Sequence, residues 1–348
     1  MRVGQARAVA ADWVARYGRS VPGYRGAYFS GSTVGLPDDA ELPATSDVDV
    51  VVVTDAPRPP AAPGKFGYRE AVLEVSHMPA SQLERPEQVL ASYHLAGSFR
   101  TCTVIEDPGG LLRGLLAEVP ARFADLPWVR RRCEDARHRI VSRLEALKAQ
   151  EVSAPFHEQV MAWLFPTGVT THVPLVAALR NPTVRLRYLR VREVLADHGL
   201  SELYPELLEL LGCREWSAAR VRHHLRALAR TFDAAAEVSR TPFFFSGDLT
   251  AAARPIAVDG SQELIDRGDH REAVFWIVAT FTRCHTVLAA DAPELHRSLD
   301  PAFREAVADL GIGSFADLLQ RAERVLRFLP RLWGTAEDVM ARNTAVAR

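Results

Sequence analysis

Residues 46–54, SDVDVVVVT, join two carboxylates to a run of β-branched residues. Such a run predicts a buried strand over residues 48–54. Side chains two positions apart in a strand point to the same face, so Asp47 and Asp49 project together while the valines on either side of Asp49 turn into the core. The sequence therefore predicts two carboxylates held side by side where a buried strand begins.

The sequence around this strand predicts a small β-sheet followed by helices. A helix is predicted over residues 3–17, and a Pro-, Ala- and Gly-rich stretch at 56–64 is predicted to be a linker or hairpin tip. Further strands are predicted at 26–30, 71–76 and 102–105. After the turn at 107–110, apolar residues at three- and four-residue intervals predict helices over 111–150, 184–198, 203–211, 218–238, 272–288 and 315–329.

These elements predict an α+β protein with two domains. Residues 1–110 form a small mixed β-sheet domain with flanking helices, and residues 111–348 form an all-α domain. A chain of 348 residues is longer than one core usually supports, which also favours two domains.

Two adjacent carboxylates repel each other unless a cation lies between them. Mg²⁺ prefers oxygen ligands and completes its coordination with phosphate oxygens, so Asp47 and Asp49 suit phosphoryl chemistry. Gly31 and Ser32 directly follow the first predicted strand. Gly31 allows the backbone to approach a phosphate closely, and Ser32 offers a backbone N–H and a hydroxyl to phosphate oxygens.

A third acidic residue, Glu74, interrupts the apolar strand predicted at 71–76. A carboxylate that is buried without a partner costs several kcal/mol, so Glu74 is expected to face the same site. Two roles are open for Glu74. It can bind a second cation, or it can act as the base that accepts a proton from an attacking hydroxyl.

This set of residues resembles the nucleotidyltransferase superfamily that includes DNA polymerase β. A Gly-Ser follows the first strand, an Asp-x-Asp begins the next, and an acidic residue lies in a third. Together with a helical C-terminal half, the set is similar to the aminoglycoside nucleotidyltransferases. The resemblance implies that Gly31 and Ser32 bind the triphosphate, that Asp47 and Asp49 bind Mg²⁺, and that Glu74 is the third carboxylate of the metal site.

The implied reaction transfers a nucleoside monophosphate, AMP from ATP or the equivalent from another nucleoside triphosphate, to a hydroxyl of a small molecule such as an aminoglycoside-like antibiotic or a metabolite. Pyrophosphate is released. One alternative is a toxin–antitoxin or regulatory protein that modifies or binds a partner protein. Another is a transferase that adds nucleotides to RNA ends. Some superfamily members build the acceptor pocket from two chains, so the resemblance also allows a homodimer.

Composition bears on the partners of the protein. Lys and Arg total 42 and Asp and Glu total 43, a net charge of -1 that argues against binding along a nucleic acid. The sequence shows neither a secretory signal nor an apolar run long enough to span a membrane, which predicts a soluble cytoplasmic protein. The histidines at 223, 224 and 285 have no partner at metal-ligand spacing in the sequence.

Overall fold

The computed structural model describes residues 1–101, 103–149 and 153–348. The chain divides into two compact units. The sheet unit comprises Met1–Arg132, Phe243–Ile256 and the last two residues, Ala347–Arg348. The helical unit comprises Cys133–Pro242 and Ala257–Val346.

The sheet unit contains a mixed sheet of five strands in the order β3-β4-β2-β1-β5. Strand β2 is parallel to β4, and the other neighbouring pairs are antiparallel. This sheet, followed by helices, confirms the predicted α+β class. The strands are β1 (Tyr24–Ser30), β2 (Val48–Thr54), β3 (Gly64–Tyr68), β4 (Ala71–Pro79) and β5 (Val104–Glu106).

Helix α1 (Val3–Arg16) shares a core with one face of the sheet. The alternate valines of β2 at positions 48, 50 and 52 are at most 1% exposed and belong to the same core as Ala10 and Trp13. Asp49 lies between two of these valines, so its side chain points to the opposite face. The predicted strand at 48–54 is therefore confirmed, and so is the prediction that its side chains alternate between the two faces of the sheet.

Strand β3 was not predicted. Its sequence, GKFGY, contains two glycines and a lysine, which are depleted in strands, beside two aromatic residues, which favour them, so it gave no clear strand signal. It forms because it pairs with β4 at one edge of the sheet. The prediction that 102–105 form a strand is met in part by β5, while Cys102 lies outside the described residues.

The sheet unit extends beyond residue 110, where the sequence placed the domain boundary. Helix α3 (Leu111–Arg122) packs against β1 and α2 (Pro86–Ala91), so contacts assign it to the sheet unit. Helix α4 (Leu126–Lys148) continues from the sheet unit into the helical unit. Helical periodicity reveals that α3 has an apolar face but not which core that face covers.

The helical unit contains most of the remaining helices. Those at 203–211 and 218–238 have the predicted bounds, whereas the helices over 156–169, 172–177, 260–266 and 293–309 were not predicted. The helices after α4 are α5 (Phe156–Val169), α6 (His172–Ala177), α7 (Arg187–Asp197), α8 (Leu203–Leu211), α9 (Ala218–Val238), α10 (Gly260–Asp266), α11 (His270–Asp291), α12 (Pro293–Asp309) and α13 (Phe315–Arg342).

The sequence was not expected to contain an apolar run long enough to span a membrane, but two stretches, Phe156–Ala177 and His270–Asp291, are long and apolar enough by length and composition. In each of them, 83% of the most apolar window is buried inside the protein. Burial of this extent is typical of core helices in a soluble protein, and it fits the expectation of solubility.

Candidate active site

Four polar side chains form a row across four neighbouring strands. In the register of the sheet, Ser30 of β1 pairs with Asp49 of β2, Asp49 pairs with Glu74 of β4, and Glu74 pairs with Lys65 of β3. Residues directly opposite each other on adjacent strands point to the same face. The row therefore lies on the face of the sheet opposite α1.

Asp47 precedes β2 by one residue and joins this row. A carboxylate oxygen from each of Asp47, Asp49 and Glu74 can be chosen so that all three lie within 4.8 Å of one another. The structure therefore brings together the three carboxylates that the sequence singled out. The parallel pairing of β2 with β4 is responsible, because it sets Glu74 beside Asp49 although the two are far apart in sequence.

The Gly31-Ser32 pair lies directly against Asp49. Gly31 begins a short 3-10 turn, Gly31–Thr33, and has a left-handed φ of 69°. A Cβ atom on Gly31 would lie 1.8 Å from Oδ2 of Asp49, so no other residue fits without displacing that carboxylate. The backbone N–H of Ser32 donates a hydrogen bond to Asp49, while the Ser32 side chain remains exposed. Gly31 and Ser32 thus hold one of the carboxylates in place.

Sequence reasoning did not identify Lys65 as a site residue. Its side chain is 7% exposed, and its Nζ forms ion pairs with Asp47 and, at 2.6 Å, with Glu74. A lone lysine directly after the predicted linker at 56–64 gave no signal. The only available indication was that Lys65 is one of two lysines in the chain, the other being Lys148.

Asp248 was also not identified, because it lies far along the chain. It ends a 3-10 turn, Ser246–Asp248, and one of its oxygens is 3.4 Å from Nζ of Lys65. Gly247 makes this approach possible, since a Cβ there would lie 2.2 Å from the backbone nitrogen of Lys65. The segment Phe243–Ile256 therefore adds a fourth carboxylate to the site.

The clustering of charge shifts the pKa values of the site. Burial and the neighbouring carboxylates of Asp47 and Glu74 raise the pKa of Asp49 well above its usual range. Burial raises the pKa of Glu74 to about 7, with Asp248 and Asp47 adding to the effect and Lys65 opposing it. Burial lowers the pKa of the Lys65 amine, but Asp47, Glu74 and Asp248 together raise it further than burial lowers it. Lys65 is therefore positively charged.

The site fits a divalent cation. Four carboxylates face one ammonium, so negative charge remains in excess after Lys65 is counted. Asp49 belongs to none of the ion pairs between described residues, and its burial favours a cation that would neutralise it. An all-oxygen donor set suits Mg²⁺. Such a cation would compete with Lys65 for Asp47 and Glu74.

Neither a scan against known protein families nor a search of curated proteins found a match to this chain.

Proposed function

We propose that this protein is a Mg²⁺-dependent nucleotidyltransferase that moves a nucleoside monophosphate, AMP from ATP in the simplest case, to a hydroxyl of a small molecule. The supporting observation is the convergence of Asp47, Asp49 and Glu74 next to the backbone of Gly31 and Ser32. Metal-dependent phosphoryl transfer needs carboxylates that hold a cation beside a backbone that phosphate can approach.

Each residue of the site has a role in this proposal. Asp47, Asp49 and Glu74 would hold the cation, which neutralises phosphate charge and polarises the α-phosphorus when bound. Gly31 keeps the backbone close to Asp49, and the exposed Ser32 offers its hydroxyl to phosphate oxygens. The three N–H donors of Lys65 hold Asp47 and Glu74 in the free protein and can turn to phosphate oxygens when a nucleotide binds.

The proposed acceptor is a small molecule that carries hydroxyl groups. The net charge of -1 favours a small, locally bound acceptor over a polynucleotide. Glu74 is either a cation ligand or the base that accepts the proton of the attacking hydroxyl, since it is partly exposed and lies next to Asp49 in the sheet. A soluble, cytoplasmic protein has access to both ATP and such acceptors.

The test is a transfer assay with α-labelled ATP, Mg²⁺ and a panel of aminoglycosides and other polyols. We expect a labelled small-molecule adduct and release of pyrophosphate. Asp49→Asn should abolish the adduct, because the substitution removes a buried negative charge from the cation site while preserving the shape of the side chain.

The matched control is Asp55→Asn. Asp55 directly follows the other end of β2, is 52% exposed and pairs with Arg25, so its substitution should leave transfer unchanged. A labelled protein band without a small-molecule adduct would identify a partner protein as the acceptor. Labelled RNA would identify a polynucleotide as the acceptor. No transfer to any acceptor, with the native protein indistinguishable from Asp49→Asn, would refute the proposal.

A further inference from the structure

Three histidines from three different helices meet in the helical unit. His157 lies on α5, His285 on α11 and His296 on α12. The ring centroids of His285 and His296 are 5.1 Å apart, and the ring of His157 is 5.4 Å from His296 and 6.3 Å from His285. Asp300 lies one helical turn after His296 on α12. None of these residues belongs to the carboxylate site of the sheet unit.

Four of the six ring nitrogens of this cluster are buried without hydrogen-bond partners among the residues that the structure describes. Both nitrogens of His285 and Nε2 of both His157 and His296 are in this position. His285 is 0% and His157 is 3% exposed. A buried polar atom that lacks a partner destabilises the folded protein, so several such atoms at one point call for a ligand.

The nitrogens and a carboxylate already lie close to one another. One ring nitrogen each from His285 and His296 and one oxygen of Asp300 are within 4.8 Å of one another. In a tetrahedral zinc site with bonds of about 2.0–2.1 Å, the ligand atoms are roughly 3.4 Å apart. Side-chain rotations that shorten each distance by at most about 1.4 Å would bring the three ligand atoms to zinc-binding separation.

The surroundings also suit a metal ion. His296 and Asp300 are four residues apart on one helix, a spacing that directs both side chains to one face. Arg304 donates a hydrogen bond from Nε to Oδ2 of Asp300 at 2.5 Å, which orients the carboxylate. Phe303 packs on His285 at a centroid distance of 4.9 Å and keeps this side of the cluster apolar.

We propose that His285, His296 and Asp300 bind a Zn²⁺-class transition metal ion, with the ring of His157 packed beside them. Imidazole nitrogen selects zinc and its neighbours over Mg²⁺, which prefers oxygen. The ion would connect α11 and α12, so its role is to stabilise the helical unit.

A competing explanation is that the histidines are neutral core residues packed with Phe281 and Phe303. Neutral packing would leave the ring nitrogens unsatisfied or bound to enclosed water. A neutral cluster does not retain metal through dialysis, so metal content separates the two explanations.

The first measurement is metal content by mass spectrometry on protein purified without a histidine tag and dialysed against a weak chelator. We expect about one equivalent of zinc per chain, and a visible absorption spectrum of tetrahedral type when Co²⁺ replaces it. Removal of the metal with a strong chelator should lower the melting temperature, and adding Zn²⁺ should restore it.

Variants test the ligand assignment. His285→Asn should lose the metal, but His285 is fully buried and its substitution can unfold the protein. Asp300→Asn is the second variant, because the Asp300 side chain is 23% exposed; we expect it to fold and to bind zinc at least tenfold more weakly. His223→Asn is the control, since His223 is 46% exposed and contacts Glu305 instead of the cluster.

The proposal fails if the folded native protein retains no zinc and its melting temperature responds neither to chelator nor to added Zn²⁺. It also fails if Asp300→Asn and His285→Asn retain as much zinc as the native protein. Asp49→Asn should keep its zinc, which distinguishes this site from the carboxylate site of the sheet unit.

Discussion

At the scale of single residues, the carboxylate site depends on how closely Gly31 approaches Asp49. Gly31→Ala places a methyl group where Oδ2 of Asp49 now lies and forces a non-glycine residue into a left-handed φ. The left-handed conformation alone costs about 1–2 kcal/mol. We expect Asp49 to move by about 1 Å, with loss of transfer activity on the order of 100-fold. A transfer assay and urea unfolding measure the two effects.

Gly35 provides the matched control in the same loop. A Cβ on Gly35 meets nothing within 4 Å, and its φ is not left-handed. Gly35→Ala should therefore keep both stability and activity. Equal effects of the two substitutions would show that loop flexibility, and not the contact with Asp49, is the cause.

Lys65 neutralises part of the carboxylate cluster when no cation is bound. Lys65→Met leaves Asp47 and Glu74 without their ion-pair partner, and we expect it to reduce the free energy of unfolding by about 3 kcal/mol in chelator. Mg²⁺ should then raise the melting temperature more than it does in the native protein, because the cation no longer competes with an ammonium. Thermal unfolding with and without Mg²⁺ measures both effects.

The control is Lys148→Met, which removes the only other lysine. Lys148 is 31% exposed and pairs with Glu145 and Glu323 on the helical unit. Its substitution should therefore lower the free energy of unfolding by no more than about 1 kcal/mol. If Mg²⁺ raised the melting temperature of Lys65→Met and of the native protein equally, then Mg²⁺ and the Lys65 ammonium would not share a site.

The residues of the site differ in how well the sequence predicts them. Asp47 and Asp49 were predictable because the period of two in a strand fixes their common face. Glu74 was predictable because an acidic residue in an apolar strand needs a partner. Lys65 and Asp248 were not, since their positions depend on strand pairing and on a contact between residues 183 positions apart.

At the scale of elements, the segment Phe243–Ile256 returns to the sheet unit from the middle of the helical sequence. It is held by the close approach of Gly247 to Gly64 and Lys65. Gly247→Ala would place a Cβ 2.2 Å from the backbone nitrogen of Lys65. We expect overpacking to lower the free energy of unfolding by about 1–3 kcal/mol. We also expect weaker Mg²⁺ binding, because Asp248 moves away from the carboxylate site. Urea unfolding and Mg²⁺ titration test this.

Limited proteolysis reports on the same segment. Phe244 is 90% exposed, so chymotrypsin should cleave beside it, and faster in Gly247→Ala than in the native protein. Gly67→Ala on β3 is the control, because a Cβ there meets nothing within 4 Å. A Gly247→Ala protein with native stability, native cleavage and native Mg²⁺ affinity would show that the close approach is dispensable.

A helix is easiest to predict from the sequence where one face is apolar and the other is charged. The helices at 203–211 and 218–238 have this pattern, and their bounds were predictable. Helix α5 is buried on most sides and contains Pro166, so periodicity did not reveal it. Its histidine and those of α11 and α12 come together only through packing, which is why spacing along the sequence gave no metal-ligand pattern for His285.

At the scale of the whole molecule, the two units have separate cores and separate chemistry. The sheet unit concentrates carboxylates around one ammonium, whereas the helical unit buries histidines. The sequence predicts a sheet domain followed by a helical domain, because strands and helices carry different periodicities. The boundaries depend on which core each helix covers, and only the folded chain determines that.

Buried histidines also predict how stability depends on pH. His172 in the helical unit is 5% exposed, and burial, together with the charge of Arg187, lowers its pKa from 6.5 to about 3. The unfolded chain therefore takes up a proton near pH 6.5 that the folded protein does not accept until about pH 3. This contribution to stability is complete above pH 6.5 and is lost as the pH falls, by up to about 1.4 kcal/mol per pH unit.

Urea unfolding at pH 7 and pH 5 measures this loss. His172→Gln, which retains a donor toward the carbonyl of Thr183, should reduce the loss by roughly 2 kcal/mol relative to the native protein. His138→Gln, a substitution of an exposed histidine on α4, should leave the loss unchanged. Equal losses in the native protein and in His172→Gln would mean that His172 is protonated in the folded state at pH 5, despite its burial beside Arg187.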